Sequence, residues 1–243
     1  MLNTTELKAK LSQIAPDLSG QSIHQGNFER ALLWSAKLTS AKLTASNCRY
    51  TSFKEANMRD LSAWGCDFRK ADFRGAHLEG ADFYGSGFLD ATLQDAHLEH
   101  ASFQDCVLNS VNLAGFCLVG ARFTGASLRD ALLAYAIAPK VSFRGADCRG
   151  TDFRGAHLDG ADFRGANLEG ASFQACRLVG VKFPKGIRHG TYRDQTWVWY
   201  GDGRFSWGTK THTVEIWGRI AASLVLGSEP SAWVQRKLAS LQA

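Results

Sequence analysis

The 243-residue chain carries 28 Lys and Arg against 23 Asp and Glu, a formal charge of +5, with six cysteines and four prolines. It contains no run of 18 apolar residues, so no membrane-spanning helix is expected. Its start, Met1 to Glu6, lacks the basic and apolar regions of a signal peptide, so a cytoplasmic protein is expected.

Residues 3–15 read as a short helix. Asn3 with Glu6 fits a capping box, and Leu7, Leu11 and Ile14 fall at i, i+4 and i+7, giving one apolar stripe. Pro16 ends it. Such a helix would cover the open first coil of whatever follows.

From Phe28 to Phe183 every fifth residue is Leu, Phe or a stand-in: Phe28, Leu33, Leu38, Leu43, Cys48, Phe53, Met58, then Phe68, Phe73, Leu78 and Phe83. Two residues before each sits a small one, as in Ala31, Ala36, Ala41, Ser46 and Thr51. A period of five fits neither the helical spacing of 3.6 nor the strand spacing of 2. Each unit must therefore turn a corner, and the turns must stack into a solenoid with the large and small positions inside. The register begins earlier, since Asp17-Leu18 and Ser22-Ile23 are in phase.

The units Ala71-Asp72-Phe73-Arg74-Gly75, Ala161-Asp162-Phe163-Arg164-Gly165 and Ala166-Asn167-Leu168-Glu169-Gly170 resemble the pentapeptide-repeat family, whose unit reads A-(D/N)-(L/F)-x-x. The resemblance implies an all-β solenoid, a right-handed quadrilateral β-helix with four units per coil. At twenty residues per coil, residues 16–185 form a rod of about eight coils, and at roughly 4.8 Å per coil it is about 38 Å long. A small α+β module is expected over residues 186–243.

After Phe183, Pro184-Lys185-Gly186 breaks the repeat. Thr196–Tyr200 and Arg204–Trp207 read as two strands, joined by a Gly201-Asp202-Gly203 turn. A helix is expected from His212 or Thr213, with Trp217, Ile220, Ala221 and Leu224 on its apolar face. A second follows from Ser228. The aromatic residues Trp197, Trp199, Trp207, Trp217 and Trp233 are candidates for core packing, partner contact or a dimer interface. Residues 205–217 resemble a C-terminal element of some bacterial and phage pentapeptide-repeat proteins, with Thr209 where those have Cys after the Gly.

Cys48 and Cys148 occupy large positions, and Cys66, Cys106 and Cys176 small ones, so all five are expected to be buried as small hydrophobes. Cys66 and Cys106 lie two coils apart, about 10 Å, beyond disulfide reach.

Residues twenty apart stack on neighbouring coils, so surface patches can be read from the sequence. The interval between Arg74 and Arg122 has no Lys or Arg but contains Glu79, Asp82, Asp90, Asp95, Glu99 and Asp105. This acidic band is a candidate contact for a basic partner, against a plain solvated surface. Arg129 over Arg149, and Arg144 over Arg164, with Arg154, form a basic patch that Asp147, Asp152, Asp159 and Asp162 interleave. With no aromatic residues arranged for base stacking, it argues against direct nucleic-acid binding. Leu132, Tyr135, Ile137 and Pro139 fall at outward positions above Cys117 and Val119. They form either an exposed apolar contact or a local bulge that turns them inward. The exchange of large and small at Leu61 and Ala63 points to local repacking, with Trp64 outward near Tyr84. His77 stacks on His97 beside Glu79 and Glu99, with His157 on the same face. Surface histidines paired with acids explain this better than a metal site.

No P-loop, nucleophile elbow, dinucleotide fingerprint or zinc signature occurs. A filled solenoid is expected to offer no substrate pocket, and no cofactor is called for. The reading is a non-enzymatic scaffold that binds a protein partner, with a homodimer through the C-terminal module as a further option. Family members that mimic duplex DNA and protect DNA gyrase suggest a decoy as the alternative. The near-neutral rod, with 18 basic and 17 acidic residues over 26–183, argues against it. A secreted effector or phage accessory protein is a third option.

Overall fold

The computed structural model describes residues 4–11, 13–192, 195–199, 204–207, 210–213, 236, 239 and 240. Helix α1 spans Thr4–Leu11, shorter than the sequence suggests. Leu7 is buried in the core and Leu11 packs against it, but Ile14 is fully exposed. The helix stops because the chain must enter the repeat register: Ala15 already has φ 47°, and Lys10 donates to the Asp17 carbonyl at 2.7 Å. Asn3 of the expected capping box lies outside the described residues.

Every residue whose number is a multiple of five, from Ala15 to Gly180, has positive φ. From Gly20 on, each follows a buried interior residue by two positions, large at nearly every turn but Ala63 and Ala138 at two, and the next residue's amide commonly closes the turn, as in Ala31 N–H to Phe28 O at 2.8 Å. A turn with positive φ at its third position favours glycine, which explains the recurring Arg-Gly at corners. The phase never slips.

Coils pair in parallel at a constant offset of twenty residues, from Asp17↔Lys37 to Asp162↔Lys182. Three strands are long enough to name: β1 (Ser22–His24), β2 (Lys42–Thr44) and β3 (Ser62–Trp64), with Ile23 opposite Leu43 and Leu43 opposite Ala63. The structure is thus a four-sided β-helix. Its interior holds a continuous ring column, Phe83, Phe103, Phe123, Phe143, Phe163 and Phe183, with centroids 4.8–5.6 Å apart and near-parallel planes. The column ends below Phe83 at Ala63. Leu61, in the neighbouring small position, is buried there too.

The small positions also serve hydrogen bonding. Thr51, Ser86 and Thr151 donate to the carbonyls of Phe28, Ala63 and Leu128 at 2.7–2.8 Å, each reaching back 23 residues. Cys66, Cys106 and Cys176 place Sγ in the same way against Leu43, Phe83 and Phe153. The five cysteines expected inside are buried. Burial pushes the Cys106, Cys148 and Cys176 thiols up to about 12, Cys66 to about 11, and Cys48 well above the ordinary range.

Beyond the repeat, β4 (Arg188–Tyr192), β5 (Gln195–Trp199), β6 (Arg204–Trp207) and β7 (Lys210–Thr213) form an antiparallel sheet in sequential order. The β5–β6 pairing places Trp197 opposite Trp207 and Trp199 opposite Phe205. His212 and Thr213, read as a helix start, instead belong to β7, where they pair with Phe205 and Arg204. The edge offered by β6 decides the strand, outweighing the apolar spacing that follows. The turn 201–203 and the helices expected beyond Thr213 lie outside the described residues. Val198 joins the solenoid core, and the Phe183 and His189 rings meet edge to face at 4.9 Å.

Candidate functional site

The outward side chains sort into patches with different fates. In the basic region, each Asp of an Asp-Phe-Arg unit accepts from the backbone N–H two residues on and holds that residue's guanidinium. Asp152–Arg154 and Asp162–Arg164 both close at 2.6 Å. Arg129 and Arg149 share Asp147 at 2.6 and 2.7 Å. Hydrogen bonds from the Arg164 side chain hold the Asp162 carboxyl down at about 2. Much of the charge is thus compensated, although Arg129 and Arg149 share a single carboxylate.

The acidic band divides. Glu79 is paired with Arg59 at 2.9 Å, and Asp82 accepts from the Trp64 indole N–H at 2.8 Å. Asp82 also accepts from the Tyr84 backbone N–H at 3.2 Å, and the Trp64 and Tyr84 side chains are both exposed. Among the described residues, no Lys or Arg forms an ion pair with Asp90, Asp95, Glu99 or Asp105. The His77 and His97 rings stack at 4.7 Å. Their ligand atoms and that of Glu79 lie within 4.8 Å of one another. However, Arg59 Nη2 contacts His77 Nδ1 at 2.8 Å. A guanidinium at that position answers the carboxylate with a fixed cation.

Leu132, Tyr135 and Ile137 are exposed, Tyr135 at 71%, with Val119 exposed and Cys117 and Pro139 half-buried. Asp130, Tyr135 and Lys140 keep positive φ and Ala138 is buried, so no bulge turns these residues inward. The Tyr135 ring lies where a Cβ on Gly155 (φ 69°) would sit, so glycine admits it. A second apolar site was missed: Leu32 (76%) and Trp34 (61%) are exposed, with Lys54 Nζ 5.4 Å above the Trp34 ring. Both flank the in-phase Leu33, so the outward register alone could have found them. Trp197 is buried and Trp199 half-buried. Trp207 lies on β6, while Trp217 and Trp233 lie outside the described residues.

The expectation of a pocket-free rod fails: among the described residues a recess of about 350 Å³ lies between Leu32, Trp34, Ser52 and Lys54, and a larger opening lies further along. A cleft of about 550 Å³ opens on the side of the rod, lined by Asp90 to Asp95 on one coil and by Ser110, Asn112, Ala114 and Phe116 on the next. Here the ladder between coils is interrupted. On the same face, Thr92 N–H bonds Ala71 O at 2.9 Å below the cleft, and Leu113 N–H bonds Leu132 O at 2.7 Å above it. Among the described residues, the pairings Thr92↔Asn112 and His97↔Cys117 are not formed, although their neighbours one coil away are. The other two sides stay closed, through Phe88 N–H to Val107 O at 2.8 Å and Phe103 N–H to Arg122 O at 2.7 Å. The cause lies in the sequence. Val111 and Phe116 occupy two successive small positions, twenty residues after Ala91 and Ala96. A ring where the repeat allows a methyl group overfills the corner, and Phe116 is left only partly buried.

Residues 27–60, 51–88, 88–125 and 146–183 match the family described as Pentapeptide repeats, in eight copies. The chain belongs to the pentapeptide-repeat family. The matches leave out residues 126–145, which contain the apolar patch. Among solved pentapeptide-repeat structures, the chain is similar to HetL, described as involved in heterocyst differentiation regulation in the cyanobacterium Nostoc sp. strain PCC 7120. They share 26% identity over 76% of this chain and 95% of that one, with a TM-score of 0.55. It also matches full-length QnrB1, a plasmid-mediated fluoroquinolone resistance protein, at 19% identity over 69% and 79% of the two chains, TM-score 0.36. A further match is a pentapeptide-repeat protein of the Arabidopsis thaliana thylakoid lumen, at 24% identity over 50% and 68%, TM-score 0.25. No curated protein matches the chain. No helix among the described residues is long and apolar enough to cross a membrane.

Proposed function

We propose that this pentapeptide-repeat protein is a non-catalytic binding rod that holds a protein partner on its outer faces. The apolar patch carries the reading. Leu132, Tyr135 and Ile137 stand exposed on coils whose interior is already filled by Leu133 and Ala138. Covering side chains of this size gains ~1.5–3 kcal/mol each, and a tyrosine at the centre suits a contact hot spot. The test is affinity purification from the native cell, with the wild type beside a Leu132→Ser/Tyr135→Ser/Ile137→Ser variant. Loss of a specific partner from the folded variant supports the reading, and retention of every partner overturns the patch as the site. Trp199 and the C-terminal sheet are the second place for contact or self-association, tested by light scattering of the wild type and Trp199→Ser. Five buried thiols suit a reducing compartment such as the cytoplasm.

A gyrase-protecting decoy is the second reading, favoured by one observation: residues 75–121 hold no Lys or Arg. The neutralised Asp–Arg pairs on the following coils oppose it. A supercoiling assay with quinolone, with and without the protein, decides. Unchanged inhibition removes the decoy.

A further inference from the structure

We infer that the opening between residues 90–98 and 109–117 is a docking cleft for a short, extended, basic polypeptide segment. The inference rests on the protein-binding reading and narrows it to one site and one ligand chemistry.

The lips of the cleft are backbone. By the register of the other coils, Leu93 and Asp95 N–H would donate to Asn112 and Ala114 O, and Asn112 N–H to Ala91 O; past the Asp95 corner, Cys117 N–H would donate to Ala96 O. None of these bonds is formed among the described residues. Donors and acceptors therefore recur along both lips with the spacing of a parallel strand pair. An extended main chain satisfies such groups, as when a peptide adds to an exposed sheet edge. A rigid small molecule reproduces that alternation poorly. The volume, about 550 Å³, falls in the ~300–1,000 Å³ range of ligand sites, and the side of one coil accommodates about four extended residues at ~3.3 Å each.

Charge selects the sign of the segment. Asp90 and Asp95 line the cleft at the two ends of one open side, with no Lys or Arg from residue 75 to 121. The two carboxylates flank the groove and attract a cationic segment, with Lys70 on the coil below as the nearest cation in the register. Half-buried Phe116 gives an apolar floor for one side chain. A peptide alternating Lys with Val answers all three features.

The experiment uses the full chain and three fluorescent octapeptides: alternating Lys/Val, alternating Glu/Val, and Lys/Val with N-methyl groups on alternate amides. Binding is read by anisotropy, and the site by amide hydrogen exchange. The Lys/Val peptide is expected to bind and to slow exchange at Leu93, Asp95, Asn112 and Cys117. The N-methylated and acidic peptides are expected to bind at least about tenfold more weakly. Phe116→Ala, which restores the repeat's small residue, is expected to re-form the ladder and lose the peptide while the circular dichroism of the rod is kept. Asp90→Asn/Asp95→Asn is expected to weaken binding without closing the cleft. Equal binding of the N-methylated peptide, protection spread along the whole rod, or no binding of any peptide overturns the inference. If the cleft fails in this way but the apolar-patch variant still loses its native partner, the binding-rod reading stands without it. If both fail, both fall.

Discussion

Thr151 Oγ1 donates to the carbonyl oxygen of Leu128 at 2.8 Å, reaching from the small interior position of one coil to the corner of the coil before it. The hydroxyl is fully buried. Thr151→Val keeps the shape and removes the donor, leaving a buried carbonyl with one partner fewer. The expected cost is about 1–2 kcal/mol, measured by denaturant unfolding. Thr151→Ser should recover most of it, and an equal loss in both variants would assign the effect to packing instead.

Acid should loosen the rod in a defined window. The Asp162 carboxyl sits at about 2, below its ordinary 3.8, because Arg164 hydrogen-bonds the ionised form. Asp67 and Asp72 are lowered for the same reason by Arg69 and Arg74. A lowered folded-state value contributes stability that is fully present above pH ~4 and lost as pH falls toward ~2. Because the arginines are half exposed, water screens each pair and its contribution is small. Asp162→Asn should reduce stability at pH 7 and flatten its fall between pH 4 and 2, as followed by thermal melts across that range.

Thiol chemistry should distinguish one cysteine. Five are buried with pKa values raised by burial, and Cys117 alone is half-buried, beside the cleft. Brief alkylation of the native protein at pH 7.5 is expected to label Cys117 and spare the other five by peptide mass spectrometry. Labelling of Cys106 or Cys148 at a comparable rate would contradict the packing described.

Phe123 lies in the middle of the ring column, fully buried between Phe103 and Phe143. Phe123→Ala should cost about 3–5 kcal/mol, and Phe123→Leu much less, since Leu is the repeat's own alternative. Chemical denaturation checks both, and similar losses would mean that the rings matter for more than volume.

The interior was legible in the sequence because the corner geometry repeats: one positive φ every five residues forces one large and one small residue inward. The same register put Leu132, Tyr135 and Ile137 at outward positions but left open a bulge that would turn them inward; the unbroken corner φ values decide for exposure. Two things did not follow. Strands β4 and β7 are short and polar, and only pairing with their neighbours makes them strands. The cleft was hidden because Phe116 is in phase by number and simply too large. Its effect depends on Ala96 and Ala91 in the coil below and on Val111 beside it, a relation across twenty residues rather than within a unit.

The open ladder also bears on how the rod takes force. Two of its four sides part between the coils at 90–98 and 109–117, while the opposite sides remain bonded and the Phe103 and Phe123 rings stay stacked at 5.2 Å. A tug along the axis would meet its weakest rung there. The closed sides would then act as a living hinge, letting the two ends of the rod tilt in one direction and no other.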